Sequence, residues 1–360
     1  MKALRMVIRR EWHRMTSRRL YLGVCVVLPL LCLFFMATIF GNGQMENIPV
    51  GIVDLDNTAT SRNISRRISA APTFRVTEHF TDEADARRAL QQKDIYGYLV
   101  IPPRFEQKAV TYYYHYALLS VGSELMAAFE NTLAPVALSP IVMQAEALGV
   151  SGEQIQTFLL PVEASTHPLY NPDTDYSIYR SQPFFFVLFQ ILILLTTVYS
   201  IGSELKFGSA GEWLEMARGN ILTAVAGKLL PYTLIFSSIG ILANYVLFGP
   251  LHIPFAGSLW LMNAVTVLFI IATQALAVFI YSVFPKIAYI ISVVSMVGSL
   301  GATLSGVTFP VTAMYAPVHA ASYLFPVRHF TEAAQAMIYF DAGFAYFWQS
   351  VATLFIFLLA

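Results

Sequence analysis

Leu20 to Phe40 reads L-Y-L-G-V-C-V-V-L-P-L-L-C-L-F-F-M-A-T-I-F, without a single charge. A hydrocarbon core about 30 Å thick takes roughly 20 apolar residues of helix to cross, so this run reads as a transmembrane span. It exceeds the roughly 7–15 apolar residues of a secretory leader. No A-x-A-like cleavage site follows it, so it reads as an anchor. Comparable runs follow at Pro183 to Ile201, Leu229 to Phe248, Leu259 to Phe284 and Ile287 to Val307. Lys228 stands at the entrance of the third span, where its long side chain is expected to snorkel to the interface. Ala345 to Ala360 begins a sixth span that stops without a basic flank, so the chain is expected to continue a little further. The expected fold class is a polytopic α-helical membrane protein of about six transmembrane helices, with an α/β domain inserted after the first.

Composition agrees. The 360 residues are 56% hydrophobic and 12% charged, with a mean hydropathy of +0.59. Soluble chains carry about 25% charged residues, twice this share. Low charge together with 27 Phe, 19 Tyr and 4 Trp excludes a disordered chain. Twenty-two basic residues balance 22 acidic ones, so no field favours nucleic acid. Cys25 and Cys32 sit two helical turns apart in the first span, about 10 Å, too far to bridge.

Basic residues set the direction. Lys2, Arg5, Arg9, Arg10, Arg14, Arg18 and Arg19 precede the first span, against the single acid Glu11. Positive-inside bias places this end in the cytoplasm, and Lys206, Arg218, Lys228 and Lys286 fall on the same side. Residues 1–19 carry Leu4, Val7, Ile8 and Trp12 at helical spacing, which reads as an amphipathic helix on an anionic inner leaflet. The expected layout is this helix, a first span at 20–40, an extracytoplasmic domain at 41–181 and a five-span membrane domain at 182–360.

The domain at 41–181 alternates in period. Ile48 to Asp54, Phe74 to Phe80, Ile95 to Ile101 and Val110 to Tyr116 read as strands. Ala59 to Ala70 reads as a helix with a basic face through Arg62, Arg66 and Arg67. Asp82 to Lys93 reads as a second helix, acidic first and basic later, matching the helix dipole. The order β-α-β-α-β-β implies a small layered α/β domain. Leu118 to about Leu160 turns helical, and Asn171-Pro172 marks the return to the membrane.

Val53-Asp54-Leu55-Asp56-Asn57-Thr58 fits the D-x-D-x-T pattern of phosphatases that use an aspartate nucleophile. That chemistry also needs a lysine, for which Lys93 or Lys108 could serve, and a distant acidic pair for Mg²⁺, which no later strand supplies. Asp54 and Asp56 are expected instead to shape the turn that caps the following helix. The seven histidines show no metal-ligand spacing. No G-x-x-x-x-G-K-[ST] loop occurs, so the chain is expected to bind no cofactor and to carry no ATPase site of its own.

Residues 202–220, G-S-E-L-K-F-G-S-A-G-E-W-L-E-M-A-R-G-N, form the longest cytoplasmic connection. Trp213, Leu214 and Met216 can form one apolar face beside Glu212 and Glu215, suited to a groove on a partner or to the interface. Motifs through the chain resemble those of ABC-2 type transporter permeases with a large extracytoplasmic domain. Glu204-x-Lys206-x-Gly208-Ser209, Glu212-Trp213-Leu214 and Gly227-Lys228-Leu229-Leu230-Pro231 are similar to that family's inner loop. Leu304-Ser305-Gly306-Val307-Thr308-Phe309-Pro310 with Met314 resembles its L-S-G-x-x-F-P segment, although Tyr315 and Ala316 interrupt the following M-P pair. Phe325-Pro326-x-Arg328-His329-Phe330, Ile101-Pro102-Pro103-x-Phe105, Val53-Asp54-Leu55-Asp56-Asn57 and Asn171-Pro172…Tyr176 complete the resemblance.

The resemblance implies a permease subunit without enzymatic activity, sitting in a bacterial inner membrane and exporting an amphipathic or apolar cargo. A separate cytoplasmic ATP-binding-cassette subunit would hold ATP and Mg²⁺, and a second permease, identical or a sister chain, would complete the pore. A periplasmic adaptor and membrane lipid are further expected partners. Glu212, Trp213, Leu214 and Met216 are expected to dock on the ATPase. Glu204 and Lys206 are expected to fix the loop's angle by pairing with Arg18 or Arg19, with Gly208 and Ser209 in the turn. Residues 308–344, interrupted by Pro310, Pro317 and Pro326, are expected to form an outer re-entrant segment in which Arg328, Glu332 and Asp341 meet headgroups or line an exit. Gly298, Ala302, Ser305 and Gly306 allow close helix packing, within the chain or across a dimer. The alternative is an anchored sensor or scaffold that binds a ligand through its outer domain.

Overall fold

The computed structural model describes residues 2–39, 45–104, 110–147, 176–339 and 343–359, with backbone alone at 136–147 and 176–180. Phe105, Lys108, Asn171, Pro172 and Asp341 lie outside the described residues, as does the end of the long helix expected to reach Leu160. Two compact units emerge, Met1–Gly43 with Thr174–Ala360, and Gln44–Asp173.

The chain starts with α1, Lys2–Ser17, and α2, Arg19–Ile39, which holds a π-turn at Gly23–Val27. Helix α1 is amphipathic, but its inward face is Val7, Glu11 and Met15 rather than the face of Trp12, which stays 49% exposed. In the inserted unit follow β1 (Ile48–Asp54), α3 (Ala59–Ala70), β2 (Phe74–Phe80), α4 (Glu83–Gln92), β3 (Gly97–Ile101), β4 (Thr111–Tyr114) and α5 (Leu119–Ala147). The sheet order is β2-β1-β3-β4, with β1 parallel to β2 and β3, and β4 antiparallel to β3. Ile48, Val50 and Ile52 of β1 pack with Ile64 and Ile68 of α3 and with Leu125 and Phe129 of α5. Val53 turns to the other face, against Ala86 and Ala89 of α4. Three layers result, as right-handed crossovers on either side of β1 require.

The remaining chain is helical: α6 (Tyr176–Lys206), α7 (Ala210–Met216), α8 (Ile221–Phe248), α9 (Leu259–Val283), α10 (Ile287–Leu304), α11 (Ala316–Ser322), α12 (Pro326–Tyr339) and α13 (Phe344–Ile356). Among the described residues, five helices are long and apolar enough to cross a membrane: α2, α6 from Ser181, α8, α9 and α10, while Phe344–Leu359 is shorter. Within its most apolar window α6 is 72% buried, against 22% for α2 and for α10, so α6 is the hub. Its Phe185, Phe186 and Phe189 interlock with Phe236, Phe269 and Phe330, with ring centroids 4.5 Å apart for Phe186 and Phe330. Gly298 and Gly301 face α6 in the same chain, where a Cβ would come within 2.7 Å of Ile191 and 2.8 Å of Gln190.

One boundary differs from the sequence expectation. Helix α8 starts at Ile221 rather than at Leu229, because Asn220 caps it by accepting the Thr223 N–H at 2.9 Å. The segment 308–344 folds into a 3₁₀ turn at Val311–Ala313 and the separate helices α11 and α12. Pro326 opens α12, where its missing N–H is no loss. Most of α12 is buried, packed on α9 and α13.

Candidate functional site

Helix α6 ends in a turn that its own sequence builds. Gly208 takes φ +68°, the left-handed conformation a glycine adopts without strain. Its neighbour Ser209 donates its backbone N–H to the Glu204 carbonyl at 2.9 Å and its hydroxyl to the Glu204 carboxylate. Helix α7 follows, then Arg218 and Gly219 at positive φ turn the chain into α8. Both ends of the short helix are therefore held.

Beneath this loop lies a buried cluster of charges drawn from α1, α6 and α8. Lys228 Nζ donates to Glu11 Oε2 and to Glu204 Oε1, each at 2.6 Å, and its side chain is wholly buried. Arg10 makes two bonds of 3.0 Å to Glu204. Arg14 bonds Glu204 at 2.5 Å and Ser203 Oγ at 2.7 Å. Tyr232 donates its hydroxyl to Glu11 at 2.7 Å. Burial works against the charge of Arg14, but Tyr21, Glu11 and Glu204 outweigh it and hold its pKa above the ordinary value. Three cations meet two carboxylates here, so each buried charge has a partner, as burial demands.

Two residues let α1 come this close. A Cβ on Gly227 would fall 2.9 Å from Val7 Cβ, so only glycine admits α1 against α8 at that point. Trp213 of α7 is 7% exposed and packs with Val7, Ala217 and Ala224. Its indole N–H reaches the Ala224 carbonyl at 3.1 Å, and Lys228 Nζ lies 5.3 Å from the ring centroid.

Several expectations are corrected by this geometry. Glu204 pairs with Arg10 and Arg14, one helical turn apart on the docked α1, and not with Arg18 or Arg19. Arg18 lies over the Phe207 ring instead. Lys206 is exposed beside the same ring and holds no carboxylate among the described residues. Lys228 does not snorkel; it is the centre of the cluster. Trp213 faces inward as a pin between α7, α1 and α8, because an indole with a bonded N–H gains most when buried. Glu212, Leu214 and Glu215 make up the outward face of α7, and Met216 is half-buried.

The site residues of the later segment form a separate group. Val327 N–H bonds Gln190 Oε1 at 3.0 Å, which places the start of α12 roughly 20 Å along α6 from Glu204. Pro310 precedes the 3₁₀ turn. Arg328 is 4% exposed, stacks on Tyr323 at 3.7 Å and approaches His319 Nε2 at 3.4 Å. Its Nε and Nη1 find no hydrogen-bond partner among the described residues. His329 beside it is pushed down from the ordinary histidine pKa, first by burial.

Asp54 and Asp56 are occupied structurally. Asp54 accepts the N–H groups of Asp56 and Asn57 at 3.0 Å and the Ser61 hydroxyl at 2.7 Å. Asp56 accepts from Thr58 Oγ1 at 2.6 Å and Arg104 N–H at 2.7 Å. Thr58 in turn caps α3 through the Ser61 N–H. No group of three metal-ligating side chains occurs among the described residues.

Glu11 and Tyr232 were not anticipated as members of the site. Glu11 carried a signal: it is the only acid before the first span, set four residues from both Val7 and Met15 on the face that docks.

Comparison with known proteins agrees with this architecture. No curated protein and no solved structure matches the chain. A family model described as ABC-2 family transporter protein matches residues 19–360, the first span through the last helix. The chain thus belongs to the ABC-2 transporter family and is a multi-pass permease component of an ATP-binding-cassette transporter, a family role that implies partnership with an ATPase subunit.

Proposed function

We propose that the chain is half of the transmembrane pore of an ATP-driven exporter in a bacterial inner membrane, with α1 and α7 in the cytoplasm and the inserted domain outside. A second permease, identical or a sister chain, completes the pore, and one ATPase subunit sits beneath each α7 with ATP and Mg²⁺ bound to it. The outer domain is then placed to meet a periplasmic adaptor. The cargo is amphipathic or apolar, because the charged groups of the spans sit near their ends and leave the middle without a partner for an ion.

One observation carries this reading. Helix α7 offers Glu212, Leu214 and Glu215 outward while Trp213 binds it to α1 and α8, and the ion cluster joins those helices to α6. A push on α7 therefore reaches the hub helix through buried, bonded contacts rather than through a loose loop. Rigid-body rocking of α6 is how such a push would alternate access.

The test is co-purification in detergent with candidate soluble ATPases, reading both complex formation and hydrolysis rate. A complex with altered hydrolysis, weakened by Leu214→Glu while the chain stays folded, is expected. Hydrolysis and complex formation untouched by Leu214→Glu and by charge reversal at Glu212 and Glu215 would overturn the docking assignment.

A further inference from the structure

The inserted α/β unit carries a site that the transport reading does not use. A pocket of about 880 Å³ opens at the carboxyl ends of β1 and β2, lined by Asp54, Leu55, Arg62, Arg66, His79 and Phe80 among others. Its size falls within the range of small-molecule sites, roughly 300–1,000 Å³. The carboxyl ends of parallel strands are where open α/β sheets bind ligands.

Its chemistry comes from one stripe of α3 and one irregularity in β2. Ile64 and Ile68 bury the inner face of α3. Arg62, Ser65, Arg66 and Ser69, spaced i, i+3, i+4 and i+7, share the adjacent stripe that borders the pocket. The Ser65 and Ser69 hydroxyls turn back onto the helix carbonyls of Ser61 and Ser65, at 3.1 and 2.9 Å, which keeps the floor low. Neither Arg62 nor Arg66 forms an ion pair among the described residues, and both are exposed. Asp54, the carboxylate in the lining, already accepts from two backbone N–H groups and the Ser61 hydroxyl.

Opposite the arginines, β2 is bulged. Val76 pairs with Val50, but Glu78 pairs with Gly51, so Thr77 is an extra residue in a parallel ladder. A strand alternates its faces, and one inserted residue reverses every side chain beyond it. Without the bulge, His79 would point to the α4 side. With it, His79 pairs with Ile52 and shares the face that packs on α3, while Phe80 goes to the α4 face over Gly51. Bulges in parallel pairs are rare, and this one puts an imidazole on the pocket lining with two guanidiniums that hold no carboxylate among the described residues, Arg62 donating to the Asn57 carbonyl at 2.8 Å and Arg66 to the Arg62 carbonyl at 3.4 Å.

We propose that this pocket binds a small organic phosphate. Two forked guanidiniums one turn apart, with an imidazole across the gap, suit a group whose terminal oxygens each accept several hydrogen bonds. The volume exceeds what a bare ion needs, and Leu55 and Phe80 supply an apolar wall for the organic part.

The experiment uses the full chain in detergent and follows hydrogen–deuterium exchange of residues 57–70 and 77–81 with glycerol 3-phosphate, against glycerol as the uncharged control. Protection by the phosphate alone is expected. It should weaken by roughly tenfold for each of Arg62→Gln and Arg66→Gln. Arg67→Gln, on the same helix outside the pocket, serves as the folding control and should bind normally. The same segments are followed in nanodiscs of phosphatidylglycerol or phosphatidylcholine. Protection confined to phosphatidylglycerol supports the site and assigns the phosphate to a lipid headgroup. No protection from either phosphate source, or equal protection in the Arg62→Gln/Arg66→Gln double variant, overturns the proposal.

Discussion

Replacing Lys228 by methionine removes the ammonium that bonds both buried carboxylates at 2.6 Å while keeping most of the side chain's length. The two carboxylates lose unequally. Glu204 retains both Arg10 bonds of 3.0 Å and the Arg14 bond of 2.5 Å. Glu11 is left with the Tyr232 hydroxyl at 2.7 Å and Arg14 only at 3.9 Å. Both glutamate side chains are 1% exposed, so solvent screens little. Removing one partner of a buried ion pair costs about 3–5 kcal/mol, nearly all of it here falling on Glu11. Adding Glu11→Gln to Lys228→Met should then recover about 1–3 kcal/mol. Adding Glu204→Gln should recover nothing, because it strands Arg10 and Arg14. Equilibrium unfolding in mixed micelles, followed by the fluorescence of Trp213 whose ring adjoins the cluster, measures the three variants against the unsubstituted chain. Equal rescue by the two glutamate substitutions, or a cost for Lys228→Met below about 1 kcal/mol, would refute this account of the cluster.

Three further outcomes follow from packing. Gly227→Ala should cost about 1–3 kcal/mol by overpacking against Val7, with Val7→Ala restoring most of it; protease sensitivity of the first 20 residues should rise and fall in parallel. Trp213→Ala should cost about 3–5 kcal/mol of stability, whereas Leu214→Ala should leave the unfolding midpoint nearly unchanged and weaken only ATPase association. Arg328→Met replaces a buried cation that has two unbonded nitrogens, so it should leave thermal stability equal or higher while transport falls; a stability loss above about 2 kcal/mol would show that the guanidinium is already compensated.

The spans and the inserted sheet were legible because each rests on local periodicity. All four strands and both flanking helices of the inserted unit fall within or match their expected segments, since alternation and cap residues such as Thr58 and Asp82 act over a few residues. The α6 turn was also legible, because Gly208 at positive φ lets Ser209 bond Glu204 only five residues back. Other features were hidden by distance in the chain. Snorkelling is the usual fate of a lysine at a span's entrance, and only α1, more than 200 residues earlier, converts Lys228 into a buried centre. Trp213 read as a docking residue because amphipathicity gives two faces without saying which one the rest of the chain covers. The bulge at Thr77 is invisible to alternation, since Phe74 to Phe80 contains polar residues on both parities.

The partners of α1 are made late. Glu11 meets Lys228 across 217 positions and Tyr232 across 221. At about 5–20 residues synthesised per second, the leader waits for tens of seconds before the acceptor helix exists. During that interval its arginines and its Leu4, Val7 and Ile8 face suit it to rest on an anionic membrane surface. Assembly then exchanges lipid for protein on one face of a preformed helix, so the contact that joins α1 to the spans beneath α7 closes only after α8 has been made.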